Sequence, residues 1–159
     1  MTGSQRRYVA IETLISCIIN GIFSLFFSWL IFASAPTASV GDVAFDALPQ
    51  SIVIAFMATL VPTLLTRSRL AKRRIDGIVG RRVRRWPVAA VARAALIAAT
   101  VGVAGGIATI LLLPRVAAPE WAFADIAAYK VLYGVMLSGL VTVVMVRVAL
   151  SDPHPPIPA

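Results

Sequence analysis

The chain has 159 residues, 59% of them hydrophobic and 14% charged, with a formal net charge of +8 and a mean hydropathy of +0.88. Soluble domains run roughly 45–50% apolar and about 25% charged, so composition excludes an ordinary soluble fold and predicts a multi-pass membrane protein. One cysteine, Cys17, and one histidine, His154, exclude an intrachain disulfide and leave no cluster at metal-ligand spacing, so neither a metal nor another cofactor is expected.

The first apolar run covers about residues 8–32, and a hydrocarbon core of about 30 Å needs roughly 20 helical residues. Arg6 and Arg7 before it and "ASA" (Ala33 to Ala35) after it imitate a cleavable leader. The run is much longer than a leader's apolar region of roughly 7–15 residues, and Pro36 follows the would-be cut, so it reads as a membrane anchor. The second run covers about residues 47–65. Pro49 is expected in its first turn, where a missing N–H is harmless, with Asp46 as the cap. Pro62 falls inside this span and frees the carbonyl of Ala58, which predicts a bend covered by a neighbouring helix.

Residues 66–87, "TRSRLAKRRIDGIVGRRVRRWP", hold most of the positive charge. Leu70, Ala71, Ile75, Ile78, Val79, Val83 and Trp86 recur at nearly helical spacing, which predicts an amphipathic helix in the headgroup plane, interruptible at Gly77 and Gly80. Arg73, Arg74, Arg81, Arg82, Arg84 and Arg85 are then candidates for contact with anionic lipid headgroups. Nucleic acid is not an expected partner, because the segment is tied at both ends to membrane spans and carries one aromatic, Trp86. The third run covers about residues 88–113 and the fourth about 121–150, with Pro119 expected in the fourth helix's first turn. The predicted fold is a single all-α domain over residues 1–159, a four-helix transmembrane bundle.

Charge orients it. The first interspan loop carries Asp42 and Asp46 and no Lys or Arg, and the last carries Arg115 against Glu120 and Asp125. The positive-inside rule then places the middle loop and both termini in the cytoplasm of a bacterial inner membrane. Tyr8 and Trp86 are expected as aromatic anchors on that side, Trp29 and Trp121 on the other.

Each span also carries a four-residue repeat of polar or small residues. The first has Glu12, Ser16, Asn20, Ser24 and Ser28; the second Ser51, Ala55, Thr59 and Thr63. The third has Ala94, Ala98, Gly102 and Gly106; the fourth Lys130, Gly134, Ser138 and Thr142. Residues at i and i+4 share a helix face. A four-residue step at about 100° per residue drifts by roughly 40°, so each stripe winds as a packing ridge rather than as a channel wall. Ala98, Gly102, Gly106, Gly134 and Ser138 are accordingly expected at close helix contacts. Glu12, Asn20, Gln50 and Lys130 are the candidate intramembrane polar residues. Lys130 is within reach of Asp46, Asp125 or water, and Glu12 shares its depth with Arg93.

Spans two and four align with Asp46 over Asp125, Met57 over Met136, Thr59 over Ser138 and Thr63 over Thr142, and "RRYVA" resembles "RRWPVA". This predicts a duplicated two-helix hairpin, a parallel repeat about an axis along the membrane normal. The pattern of a basic pair, "INGIFSLFFSWLIF", an acidic loop and "PQSIVIAFMATLVPTLLTR" resembles small inner-membrane proteins of proteobacteria, some with a permease-like label. The resemblance covers mainly the first half of the chain and implies an inner-membrane location, with no functional residue carried over. No nucleophile–base pair, phosphate loop or metal motif is visible, so an enzyme is not expected. Two readings stay open: a permease-like, transport-related protein acting as an oligomer, or an accessory subunit of a larger membrane complex.

Overall fold

A computed structural model describes residues 1–78, 87 and 89–152. The expectations placed on Val79, Gly80, Val83, Trp86, His154 and the arginines Arg81, Arg82, Arg84 and Arg85 lie outside the described residues. Helix α1 (Gly3–Phe32) opens on a capping box in which Thr2 accepts from the Gln5 N–H and the Gln5 side chain returns to Thr2. Glu12, Ser16, Asn20, Ser24 and Ser28 are all buried, whereas Leu14, Ile18, Ile22 and Phe26 are exposed. A soluble helix does the reverse; here lipid solvates the apolar face and the backbone bonds are closed inside the helix. Four segments, Gly3–Phe32, Val40–Ala71, Ala90–Val116 and Phe123–Leu150, are long and apolar enough to cross a bilayer. The chain is a polytopic membrane protein.

Strand β1 (Thr37–Ser39) leads directly into α2 (Val40–Ala71). The helix therefore starts a full two turns before the expected site. Ser39 caps it, accepting from the Asp42 N–H at 3.1 Å, and Pro49 lies in its interior with Pro62. Asp46 is no cap. The carbonyl freed by Pro62 is covered as expected by a neighbouring helix, whose Thr142 Oγ1 lies 3.4 Å from the Ala58 oxygen.

At its other end α2 stops in a Schellman turn. The Arg74 N–H bonds the Arg69 carbonyl at 2.9 Å and the Arg73 N–H bonds that of Leu70 at 3.0 Å. Arg73 sits at φ 52°, the left-handed conformation usually given to glycine. Residues 72–78 then run as turn and irregular backbone, which corrects the interfacial helix over this part of the loop. The amphipathic split survives without the helix: Lys72, Arg73 and Arg74 are exposed, and Ile75 and Ile78 pack against Tyr8, Val9 and Leu150. Gln5 Nε2 donates to the carbonyls of Asp76 and Gly77 at 3.0 and 3.1 Å, and the Ile78 N–H reaches Leu150 O at 2.9 Å. These bonds hold the loop's first residues under the bundle.

The third span consists of α3 (Ala90–Ile97), one π turn (Ala98–Gly102) and α4 (Val103–Val116). The π turn, closed by the Val103 N–H on Ala98 O, accommodates one extra residue in the helix. Strand β2 (Glu120–Ala122) follows and leads into α5 (Phe123–Leu150). Pro119 precedes β2, and its carbonyl accepts from the Val40 N–H at 2.9 Å. The two strands pair antiparallel, Ala38 opposite Trp121, and join the two loops at the acidic end of the bundle.

Helices α2 and α5 form the centre; α1 packs along α5, and the third span packs along α2. Helices α1 and α2 scarcely meet although they are consecutive, and so do α4 and α5. The order helix, strand, helix thus occurs twice, and each unit's first helix lies on the other unit's second.

The repeat has a definite register. Thr37 corresponds to Glu120, a separation of 83 residues, and Val40, first in α2, corresponds to Phe123, first in α5. On this shift every buried residue of α2 from Val43 to Thr66 lands on a buried residue of α5, among them Val43 on Ile126, Ser51 on Gly134, Ile54 on Leu137 and Thr59 on Thr142. The alignment of Asp46 with Asp125 is corrected by one helical turn: Asp42 is the counterpart of Asp125, each the acidic residue in its helix's first turn. A slip of one turn preserves the helix face and so hides in sequence.

Candidate functional site

A cleft of ≈ 650 Å³ opens between α1 and α2, with α5 beneath it. It exists because both helices rest on α5 and diverge from each other. Its rim is apolar and faces outward, with Ile19 47%, Phe23 56%, Val53 57% and Met57 45% exposed, so in a bilayer its mouth meets lipid. Its polar lining is Glu12, Ser16, Asn20, Ser24, Asp46, Gln50 and Lys130. The four candidate polar residues of the sequence, Glu12, Asn20, Gln50 and Lys130, therefore come together in one place.

An ion pair stands at each end. Toward the acidic end Lys130, 1% exposed, pairs with Asp46, its ammonium also 5.2 Å from the centre of the Phe32 ring. Toward the basic end Glu12, 3% exposed, pairs with Arg69 and not with Arg93. The reason is packing: α1 lies beside α5, and the last turn of α2 brings Arg69 across. Arg93, 1% exposed, instead pairs with Asp152 at 2.8 Å and bonds the Pro87 carbonyl at 3.0 Å, and Arg67 shares Asp152 at 2.7 Å. Arg69 and Asp152 are equivalent positions of the repeat, so the two units carry the same pair with its charges exchanged. Tyr8 belongs to the first of these clusters: it is buried, its hydroxyl meets Thr66 Oγ1 at 3.0 Å and the Arg69 guanidinium lies 5.2 Å from its ring centre. That corrects its reading as an interfacial anchor.

Between the ion pairs, Asn20 Nδ2 donates to Ser16 O at 2.8 Å, and Thr142 Oγ1 donates to Ser16 Oγ at 2.8 Å. Gln50 Nε2 donates to Ser24 Oγ at 2.9 Å and to the Lys130 carbonyl at 3.3 Å. A carbonyl can only accept, so the Lys130 oxygen fixes which end of the amide is nitrogen. Gln50 Oε1 is then buried with no hydrogen-bond donor among the described residues.

The small residues serve as close contacts. A Cβ on Gly106 would meet Leu48 Cα at 2.6 Å, and one on Gly102 would meet Ile52 Cα at 2.9 Å, so the third span touches the α2 backbone there. Ser24 takes the room that a side chain at Gly134 would need. Ala98 is buried, and the Ser138 hydroxyl donates to Val135 O at 3.1 Å.

The repeat sets other residues at the equivalent positions of α5. Asp46 and Gln50 correspond to Tyr129 and Tyr133, whose rings stack with centres 6.0 Å apart. Tyr133 Oη lies 2.6 Å from Ser51 Oγ and 2.9 Å from where a Gly105 Cβ would stand. Ser51 commits its one proton to the Ala47 carbonyl, so the phenol is the donor. Neither tyrosine stands out in sequence, because only the corrected register sets them opposite Asp46 and Gln50. Compared with family models, with curated proteins and with solved structures, the chain gives no match.

Proposed function

We propose that this is a permease-like, transport-related protein of the bacterial inner membrane, which admits an amphipathic solute from the bilayer into the α1/α2 cleft. One observation carries the reading: Glu12, Asn20, Gln50 and Lys130 line a single cleft whose apolar rim faces outward. A site that buries polar groups within the hydrocarbon depth is a functional candidate by default, since an unpaired charge there costs about 2.5–3.5 kcal/mol on insertion scales. The ion pairs leave the cleft without net charge, which favours a neutral solute.

In this reading the basic end faces the cytoplasm, both termini with it, and Arg73 and Arg74 meet anionic headgroups at about 1 kcal/mol each. The chain acts as an oligomer, because four helices enclose little room for a complete pathway. Proteoliposome uptake of radiolabelled amphiphiles that cross bare bilayers slowly, an alkyl glycoside, a phenyl glycoside and a lysophospholipid, tests it. At least one should enter faster than in protein-free vesicles, with the gain lost in Asn20→Leu and Gln50→Leu. If none does and the chain instead copurifies stoichiometrically with a larger membrane complex, the accessory-subunit reading replaces it.

A further inference from the structure

We infer that the α1/α2 cleft takes the acyl chain of a phospholipid from the leaflet at the basic end, with the lipid phosphate held at Arg69; this rests on the cleft being the substrate site and names the class of solute. The surface that the cleft presents is hydrocarbon. Val53, Met57, Val61 and Leu65 form its α2 wall at four-residue spacing, opposite Ile19 and Phe23 of α1, and all six are exposed. Glu12, Ser16, Asn20, Ser24 and Lys130 also line it but are at most 9% exposed and already partnered. A hydrocarbon chain lying over these groups leaves none of their bonds unmade.

Dimensions and charge select the occupant. Val53 to Leu65 covers about 18 Å at ~1.5 Å per residue, against about 15 Å for one leaflet of a hydrocarbon core of about 30 Å. A helix of that length, about 10 Å across, fills about 1,400 Å³. A second copy's helix therefore cannot lie in a cleft of ≈ 650 Å³, whereas a single chain can. One turn past Leu65 the same row of α2 reaches Arg69, which closes the basic end of the cleft by pairing with Glu12 through Nη1. Its side chain is 38% exposed, and a guanidinium has about five N–H donors, so donors remain for a phosphate. Arg6, Arg7, Lys72, Arg73 and Arg74 are exposed at this end, and their charge outweighs that of Glu12 and the exposed Asp76. The part of the ligand inside the cleft is neutral, and its charge stays at the mouth. A chain gains little by leaving one hydrocarbon environment for another, so preference over bulk lipid comes from the phosphate.

The test is equilibrium binding of radiolabelled lysophosphatidylglycerol to the full chain in nanodiscs of a neutral glycolipid, with empty nanodiscs as the blank and concentrations referred to the lipid phase. Saturable binding is expected at about one per chain, and a monoacylglycerol of the same chain, which lacks the phosphate, should bind about tenfold more weakly, a difference of about 1.4 kcal/mol. Glu12→Gln with Arg69→Gln removes both charges together, so neither is stranded, and should bring the two lipids level. A phosphate preference that survives in this double variant overturns the role of Arg69. Met57→Trp fills the cleft from an exposed position and should weaken both lipids at least tenfold, even if the double variant fails to fold. If the monoacylglycerol binds saturably, Met57→Trp removes it, and lysophosphatidylglycerol binds no tighter, the phosphate assignment is wrong and the cleft reading stands. If lysophosphatidylglycerol binds equally well to Met57→Trp, the lipid sits elsewhere and the inference falls. Saturable binding of neither lipid also sinks it, while uptake of the two glycosides decides the solute reading separately.

Discussion

Lys130 and Glu12 are charged side chains that the fold can bury only in pairs. Lys130 is 1% exposed, while its partner Asp46 is 21% exposed. Asp46→Leu therefore strands an ammonium in the bundle and should cost about 3–5 kcal/mol. Lys130→Met strands the better-hydrated partner and should cost less. The double change Asp46→Leu with Lys130→Met should recover most of the loss, since an apolar pair avoids the desolvation of both ions. Reversible unfolding of the three variants in mixed micelles closes this cycle, and additive losses would show that the two groups do not interact. Arg73 offers the opposite sign. It holds φ 52° at the end of α2, so Arg73→Gly should stabilise by about 1 kcal/mol, read as a raised unfolding midpoint. The polar stripe from Glu12 to Ser28 was legible because a four-residue spacing marks one helix face whatever surrounds it. The partner of Glu12 was not, because choosing Arg69 over Arg93 requires knowing which helices touch.

At the scale of elements, all four spans follow from run length and apolarity, which need no tertiary information. The start of α2 was misplaced because a proline near the beginning of an apolar run imitates a first-turn proline, whereas bilayer helices carry interior prolines. The strands Thr37–Ser39 and Glu120–Ala122 and the π turn are too short to impose a pattern on sequence. Helix contact yields a sharper prediction. A methyl at residue 106 would meet the α2 backbone at Leu48, which cannot yield, while one at residue 105 would meet only the tip of Tyr133. Gly106→Ala should therefore cost about 1–3 kcal/mol by forcing α4 off α2, and Gly105→Ala clearly less. Equal losses in denaturant titrations of the two variants would contradict this account of the interface.

For the whole molecule, the interlocking of the two units decides what is stable alone. In each unit the consecutive long helices scarcely meet, and the buried faces of α1 and of the third span are completed by the other unit's second helix. The central core joins Ile54 and Ala58 of one unit to Leu137, Val141 and Met145 of the other, and the outer cluster joins Phe32 and Val43 to Ile126. Association of spans within a bilayer relies on packing and interhelical hydrogen bonds rather than on expulsion from water. A fragment of residues 1–78 therefore inserts two helices but lacks the surface against which Ser16, Ser24 and Thr59 are buried. Expressed alone, it should form a self-complementary dimer, α1 of each copy on α2 of the other, or be degraded. Expressed with residues 79–159 as a separate chain, it should give a complex in which a tag on either fragment recovers both in equal amounts. The charge-exchanged pairs sharpen the expectation. A dimer of the first fragment repeats Glu12 with Arg69 in both halves, whereas its Asp46 and Gln50 have no Lys130 beside them, so the mixed complex should win when both fragments are present. A monomeric, protease-resistant fragment 1–78 would show instead that the two units fold independently and meet only afterwards.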